Sequence, residues 1–399
     1  MAESSTIAAT ARGKALAAKG LPVLSLSAGE PDFDTPENVV AAAIDALRRG
    51  ETHYAPTAGT SEARQAVARK LCDENGLGCT AAEVTITVGA KHAIYLALQT
   101  LIDPGDEVLL PTPAWVSYAP MIELAGGVVV EVPGDPARGY LVSAEEIERA
   151  ITPRTRALVF NNPINPTGTV HSADSVRAIA AMLAGHPRIT VIADEIYEKL
   201  IYPELDPQAN TCSIGSCSEV AERTITVNGM SKAYAMTGWR IGYAAAAGAG
   251  AAAIREMIKL QGQMTNGIAS FCMPAVVEAL TNSSASVESM RTAFAARARL
   301  VSEAIATMPM LSAPTSTAAF YSFIQLGTAL GRVSPAGRRL DSPSRFCEAL
   351  LDEALVATVP GEDFGGAGRT AFRISFACSE ADLREALGRL RGFLEQLTD

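Results

Sequence analysis

The strongest chemical signal in the chain is a lysine set in apolar sequence, with a serine before it and an arginine eight positions after it. It lies in Asn228-Gly-Met-Ser-Lys-Ala-Tyr-Ala-Met-Thr-Gly-Trp-Arg-Ile-Gly-Tyr243, directly after a strand pattern. A free lysine amine has a pKa of about 10.4, so only roughly 0.04% is neutral at pH 7. Burial and condensation with an aldehyde both relieve that handicap, and Lys232 is therefore the candidate for a Schiff base. Ser231 and Arg240 add a hydroxyl and a fixed cationic fork, the groups a phosphate takes. The bland alternative, a solvated surface lysine, does not account for the company it keeps.

Asp194 closes the apolar run of Val191-Ile-Ala-Asp-Glu-Ile-Tyr-Glu198, where an unpaired carboxylate is costly. A protonated pyridine nitrogen would offset that cost and keep the ring able to accept electrons; simple capping of a following helix is the alternative. Tyr197 is close enough in sequence to donate to a phenolic oxygen on the same ring. In Asn161-Asn-Pro-Ile-Asn-Pro-Thr-Gly168, the prolines and glycine make a rigid turn, but nothing about a turn demands Asn165. Its amide suits that ring oxygen and a substrate carboxylate.

Weaker signals point the same way. Thr87-Val-Gly-Ala-Lys-His-Ala-Ile94 passes from strand through Gly89 into a helix, whose first amides form a phosphate cradle, although any strand-to-helix turn looks alike. Trp115, in Pro111-Thr-Pro-Ala-Trp-Val-Ser-Tyr118, is placed to stack on a planar ring or to pack in the core. Arg373 sits in the strand-like Arg369-Thr-Ala-Phe-Arg-Ile-Ser-Phe376 and suits a bidentate clamp on an α-carboxylate, or an internal salt bridge. Singly, most of these lose to their bland readings. Together they describe pyridoxal 5'-phosphate and an amino acid.

These residues need a scaffold that brings strand ends together. Strand patterns fall at Val84–Val88, Glu107–Pro111, Val128–Val132, Ala157–Asn161, Thr190–Ala193, Thr224–Asn228 and Ile241–Ala245, alternating with helical stretches such as Lys91–Leu101 and Ala173–Leu183. That alternation predicts an α/β fold with a mainly parallel sheet covered by helices, and ligands beyond the strands' carboxyl ends. Thr35-Pro36 reads as a helix start and Gly50 as its close. Later come a long helix, Val287–Met308, and a closing helix, Glu380–Leu397. We expect a large domain over 45–285 and a smaller one built from 1–44 and 286–399.

Composition removes other function classes. The net charge of −10 argues against a nucleic-acid surface, and four histidines give no metal-ligand spacing. Seven cysteines without a CxxC pair favour reduced thiols in the cytoplasm. The N-terminus lacks the apolar core of a signal peptide, and the Ala-rich run Ala244–Ile254 is too short and glycine-broken to span a membrane.

The Ser231–Arg240 segment, the Asn-Pro-Thr-Gly turn and the Asp194/Tyr197 strand resemble the class I aminotransferases of PLP fold type I. The likeness is to the bacterial aspartate and aspartate/prephenate branch, and it runs from about Ser5 to the C-terminus. It implies that Lys232 carries the cofactor and moves the proton, that Asp194 meets the pyridine nitrogen, and that Asn165 and Tyr197 meet the ring oxygen. Ala90, Lys91, Ser231 and Arg240 would hold the phosphate, and Gly29, Trp115, Asn165 and Arg373 would surround the substrate carboxylate. It further implies a homodimer in which Tyr54, of His53-Tyr-Ala-Pro-Thr-Ala-Gly59, reaches the neighbour's phosphate. Lys91 would also face the distal carboxylate of aspartate.

Two departures stand out. The branch's Gln-x-Gln-x-Thr-Ser-Asn is Gln261-Gly-Gln-Met-Thr-Asn-Gly267 here, and Ala318-Ala-Phe-Tyr-Ser322 lacks the usual glycine. The first bears on aspartate preference. The expected reaction is ping-pong transamination from an L-amino acid, aspartate first, to a 2-oxo acid such as 2-oxoglutarate. Alternatives are an aminotransferase for prephenate, aromatic or other amino acids, a PLP lyase or oxidase on this scaffold, and a catalytically silent ligand-binding regulator.

Overall fold

Aliphatic runs too short for helices become strands of a central sheet, buried on both faces except in the edge strand Val128–Pro133. The computed structural model describes residues 5–399, so the first four residues of the predicted segment 1–44 lie outside the described residues. In chain order the strands are β1 (Leu24–Ser25), β2 (Val84–Thr87), β3 (Glu107–Thr112), β4 (Val128–Pro133), β5 (Thr155–Asn161), β6 (Thr190–Asp194), β7 (Thr224–Gly229) and β8 (Gly242–Ala245). β2 to β8 form one seven-stranded sheet in the order β2-β8-β7-β6-β5-β3-β4. β8 runs antiparallel to both neighbours, and the other pairs are parallel. Every predicted strand is present, with ends moved by no more than two residues.

The covering helices follow their apolar period. In Ala173–Leu183, Ser172 caps the first turn by accepting from Ser175 N, and Val176, Ile179, Ala180 and Leu183 are buried. The helix expected to start at Thr35 begins later, at Glu37, with Pro36 as its N-cap. Thr35 is not a cap because its hydroxyl has better partners elsewhere. It donates to Ala235 O at 2.8 Å and accepts from Trp239 Nε1 at 3.0 Å, tying the chain's start to the lysine-bearing segment.

Towards the C-terminus lie β9 (Tyr321–Gln325), β10 (Val356–Ala357), β11 (Val359–Pro360) and β12 (Ala371–Ser375). β11, β12 and β9 make an antiparallel sheet, while β1 pairs in parallel with β10, Leu24 opposite Val356. The helices Ser284–Ala306 and Glu380–Glu395 share one apolar cluster with Leu26, Phe346 and Phe372. Ile196, Tyr197 and Leu200 belong to that cluster too. The loop after β6 is thus gripped between the large sheet and the C-terminal layer. Among the described residues, no helix is long and apolar enough to cross a membrane.

Candidate active site

One edge of the large sheet collects the chemistry. β2, β3, β5, β6 and β7 all end there, and antiparallel β8 begins there. The helix Ala90–Leu101 starts just past β2, Trp115 lies three residues beyond β3, and Asn165 four beyond β5. Asp194 is the last residue of β6, Lys232 lies three beyond β7, and Arg240 two before β8. A cavity of about 300 Å³ opens between them. It is lined by Gly29, Ala90, Lys91, Trp115, Asn165, Asp194, Tyr197, Ser231, Lys232, Arg240 and Arg373. Of the residues singled out in the sequence, Tyr54 alone is elsewhere. It is 94% exposed and borders a separate open groove of about 640 Å³ with Thr265–Phe271.

Lys232 is half-buried, and desolvation lowers its pKa to about 8, against the opposing pull of Glu30. Its Nζ donates to Gly29 O at 2.6 Å. Asp194 is buried, and burial pushes it up to about 6 in spite of two hydrogen bonds that favour its charged form. Those donors are the Tyr118 hydroxyl, 2.6 Å from Oδ2, and Ile196 N, 3.2 Å from Oδ1. The Ile196 bond is the local turn that a capping role would produce. The Tyr118 bond is not local, and it leaves the carboxylate facing the cavity with no cation bonded to it.

Arg373 is only 2% exposed. It donates from Nη1 to Asn165 Oδ1 at 3.0 Å and from Nη2 to Ser27 O at 2.9 Å, neither acceptor being a carboxylate. Its Cζ lies 4.4 Å from the centre of the Tyr321 ring and 5.1 Å from that of Phe364. Among the described residues Nε has no hydrogen-bond partner. A buried guanidinium with donor capacity to spare is an anion clamp in waiting.

At the other end, two glycines let the backbone close on Arg240. A Cβ on Gly89 would stand 2.6 Å from Arg240 Nη2, and one on Gly242 would stand 2.2 Å from Ala90 N. The helix start, Ser231 and Arg240 therefore form a compact cationic cradle. Lys91 Nζ lies 4.8 Å from the centre of the Trp115 ring; burial, then Arg240, lowers its pKa.

Sequence reasoning missed two tyrosines on the cavity wall. Tyr118 closes the segment Pro111–Tyr118, three residues beyond Trp115, but no local pattern links it to Asp194. Tyr321 was noticed only as part of a glycine-poor segment, yet its hydroxyl lies 3.1 Å from that of Tyr197 and its ring covers Arg373. The altered Thr265-Asn266-Gly267 stretch borders the groove of Tyr54 rather than this cavity, with Asn266 Oδ1 accepting from Thr57 Oγ1 at 2.9 Å.

Comparison with known proteins gives a consistent picture. The family model for aminotransferase class I and II matches residues 22–390. An aspartate aminotransferase of Rhizobium meliloti is 40% identical over 396 residues, covering 97% of this chain and 93% of the relative. An aspartate/prephenate aminotransferase of Thermus thermophilus is 42% identical, covering 98% and 95%. The crystal structure of the aspartate aminotransferase from Rhizobium meliloti superposes with a TM-score of 0.93 at 39% identity, covering 100% of this chain and 98% of that one.

Proposed function

Because the chain belongs to the class I and II aminotransferases, and is a pyridoxal-phosphate-dependent transaminase of fold type I, we propose that aspartate is its preferred amino donor and 2-oxoglutarate its acceptor. One observation carries the choice of donor: Lys91 and Arg373 line the same cavity, so a dicarboxylic amino acid finds a cation for each carboxylate. The relatives named for aspartate support it.

The residues present fit the cofactor. Asp194 is a buried carboxylate in need of a cation, Lys232 a half-buried amine with a depressed pKa, and the Gly89–Arg240 cradle a place for phosphate. Ser231, Arg240, Ala90 and Lys91 would hold that phosphate, Asp194 the pyridine nitrogen, Tyr197 and Asn165 the ring oxygen, and Trp115 a ring face. When bound, pyridoxal phosphate supplies an electron sink for the pair left behind when the Cα proton departs.

The chain's own groups do the rest. Arg373, packed against Tyr321 and Phe364, takes the α-carboxylate and so fixes how the bonds at Cα point. Lys232 Nζ accepts the Cα proton and returns it on the product side. With a pKa of about 8, roughly a tenth of that amine is neutral at pH 7, a gain of more than a hundredfold over a free lysine.

We read residues 45–285 as the cofactor-holding domain, with 1–44 and 286–399 as the smaller one; the β1–β10 pairing supports the union of the chain's ends. The exposure of Tyr54 beside an open groove supports a homodimer, in which Tyr54 reaches the neighbour's phosphate and Thr265–Gly267 its substrate region. Free cysteines support a cytoplasmic setting.

The test is glutamate formation from 2-oxoglutarate with single L-amino acids. Aspartate should give the highest kcat/KM. Preference for an aromatic donor would retain the transaminase and overturn the donor, whereas ammonia release without amino transfer would point to a lyase or oxidase. A folded Lys232→Ala chain should not turn over, and substantial activity in it would remove Lys232 from its role.

A further inference from the structure

The loop that carries Asp194 and Tyr197 has two sides. Asp194, Ile196 and Tyr197 line the cavity. Glu195 and Glu198 turn away from it into a polar cluster buried behind the site. Glu195 is 5% exposed and Lys70, from the helix Ser61–Asn75, 6%. Lysine is rarely buried without a partner. Here Lys70 Nζ bonds Glu198 and donates to Asn75 Oδ1 at 2.7 Å. Asn75 Nδ2 in turn donates to Glu195 Oε2 at 3.0 Å and to Glu198 Oε2 at 2.5 Å. The Ser213 hydroxyl completes the set, donating to Glu195 Oε1 at 2.6 Å. At the rim, Glu74 accepts from Lys199 at 2.5 Å and lies 3.6 Å from Lys70.

We infer that Glu195 is a positioning residue for the cofactor site, and that its network with Lys70, Asn75, Glu198 and Ser213 fixes the Asp194–Tyr197 segment from behind. Two separate stretches of chain converge on this loop: the helix end at 70–75 and the turn at Ser213. Asp194 and Glu195 share a peptide unit, so a shift of the second moves the carboxylate of the first. The segment is pinned along its backbone too, Glu195 N donating to Val227 O at 2.9 Å and Glu198 N to Glu195 O at 3.0 Å. Main-chain bonds fix where the loop passes. The side-chain network fixes which way each residue faces, because turning Glu195 towards the cavity would take the acceptor from Ser213 and one of two acceptors from Asn75. Desolvation makes that arrangement matter: burial pushes the Glu195 carboxyl up to about 7, with Glu198 adding to the effect and Ser213, Lys70 and Asn75 opposing it. The inference rests on reading Asp194 and Tyr197 as cofactor contacts.

The experiment measures pyridoxal phosphate dissociation by equilibrium dialysis, and amide hydrogen exchange over residues 194–200, in the full-length chain freed of cofactor. Glu195→Ala should weaken cofactor binding about tenfold and speed exchange in that segment, whereas Glu195→Gln, which keeps an acceptor for Asn75, should stay within about twofold of the parent. If Glu195→Ala does not fold, Ser213→Ala serves in its place, with a severalfold loss of the same kind expected. Parental binding and exchange in whichever of these variants folds would overturn the inference, as would equal loss in Glu195→Ala and Glu195→Gln. Asp194→Ala is measured beside them. If it loses affinity while Glu195→Ala does not, the positioning role fails and the site reading stands. If Asp194→Ala binds as the parent does, the site reading fails and takes the inference with it.

Discussion

The Tyr118 hydroxyl donates to Asp194 Oδ2 at 2.6 Å across 76 positions of sequence, and both groups are buried. Tyr118 stands at the start of the helix Tyr118–Leu124 and Asp194 at the end of β6, so the bond joins two layers of the fold at the carboxylate proposed to hold the pyridine nitrogen. It favours the charged form of Asp194, against the larger opposing effect of burial.

Replacing Tyr118 by Phe should therefore cost more than a lost contact. A buried acceptor deprived of its donor costs about 1–3 kcal/mol, more when it is charged. The variant should lose about that much stability at pH 7, measured by urea unfolding without cofactor. The loss should shrink at pH 4, where Asp194 is protonated. A loss that is the same at both pH values would mean that the bond does not support a charge.

Asp194 also makes a prediction about pH. Without cofactor, the folded chain keeps a proton on Asp194 up to about pH 6, while the unfolded chain releases it near 3.8. Between those values the folded state binds the extra proton, so stability falls as pH rises, by about 3 kcal/mol in all. Glu195 acts with the same sign between 4.5 and about 7. Lys232 acts in a higher window: its folded pKa of about 8 lies below the unfolded 10.5, so stability rises between them. Asp194→Asn removes the first effect alone. Parent and variant should diverge by about 2 kcal/mol between pH 4 and pH 6, and parallel curves would show that Asp194 titrates as an exposed carboxyl does.

How much of this was legible in the sequence depends on the range of the interaction. The strands were visible because each is a local run of apolar residues, and their ends bracket the lysine, the aspartate and the asparagine that line the cavity. The Thr35 hydroxyl was misread as a cap because its partners, Ala235 and Trp239, lie about two hundred positions away. Tyr118 and Tyr321 escaped for the same reason. Lys70 escaped for another: a lysine on an amphipathic helix looks solvated until the fold places Glu198 and Asn75 against it. Periodicity reports which face is apolar, not which polar group finds a partner inside.

Arg373→Lys keeps the charge and removes the fork. An ammonium lacks the fixed fork with which the guanidinium serves Asn165 and Ser27 while packed against Tyr321 and Phe364. Loss of one charge-assisted bond to the α-carboxylate, worth about 1.5–3 kcal/mol, should lower kcat/KM by about 10- to 150-fold. The carboxylate is common to all donors, so aspartate and phenylalanine should suffer alike, mainly through KM, with cofactor affinity unchanged. A loss confined to one donor would place Arg373 on a side chain instead.

Lys91 is the residue on which donor choice turns. Its amine lies over the Trp115 ring inside the cavity, and Arg240 is near enough to lower its pKa, so geometry allows it to face either a distal carboxylate or the phosphate. Lys91→Met keeps an unbranched apolar stem against Trp115 and removes the charge, which separates the two roles. If Lys91 serves the distal carboxylate, kcat/KM for aspartate should fall about 10- to 150-fold, the worth of one charged hydrogen bond, while phenylalanine stays within about threefold. Cofactor affinity should not change. If Lys91 instead serves the phosphate, pyridoxal phosphate should dissociate more readily and both donors should decline together. Aspartate preference would then have no cation behind it in this chain's own cavity, and the groove of Tyr54 and Thr265–Gly267 would be the place to look for one.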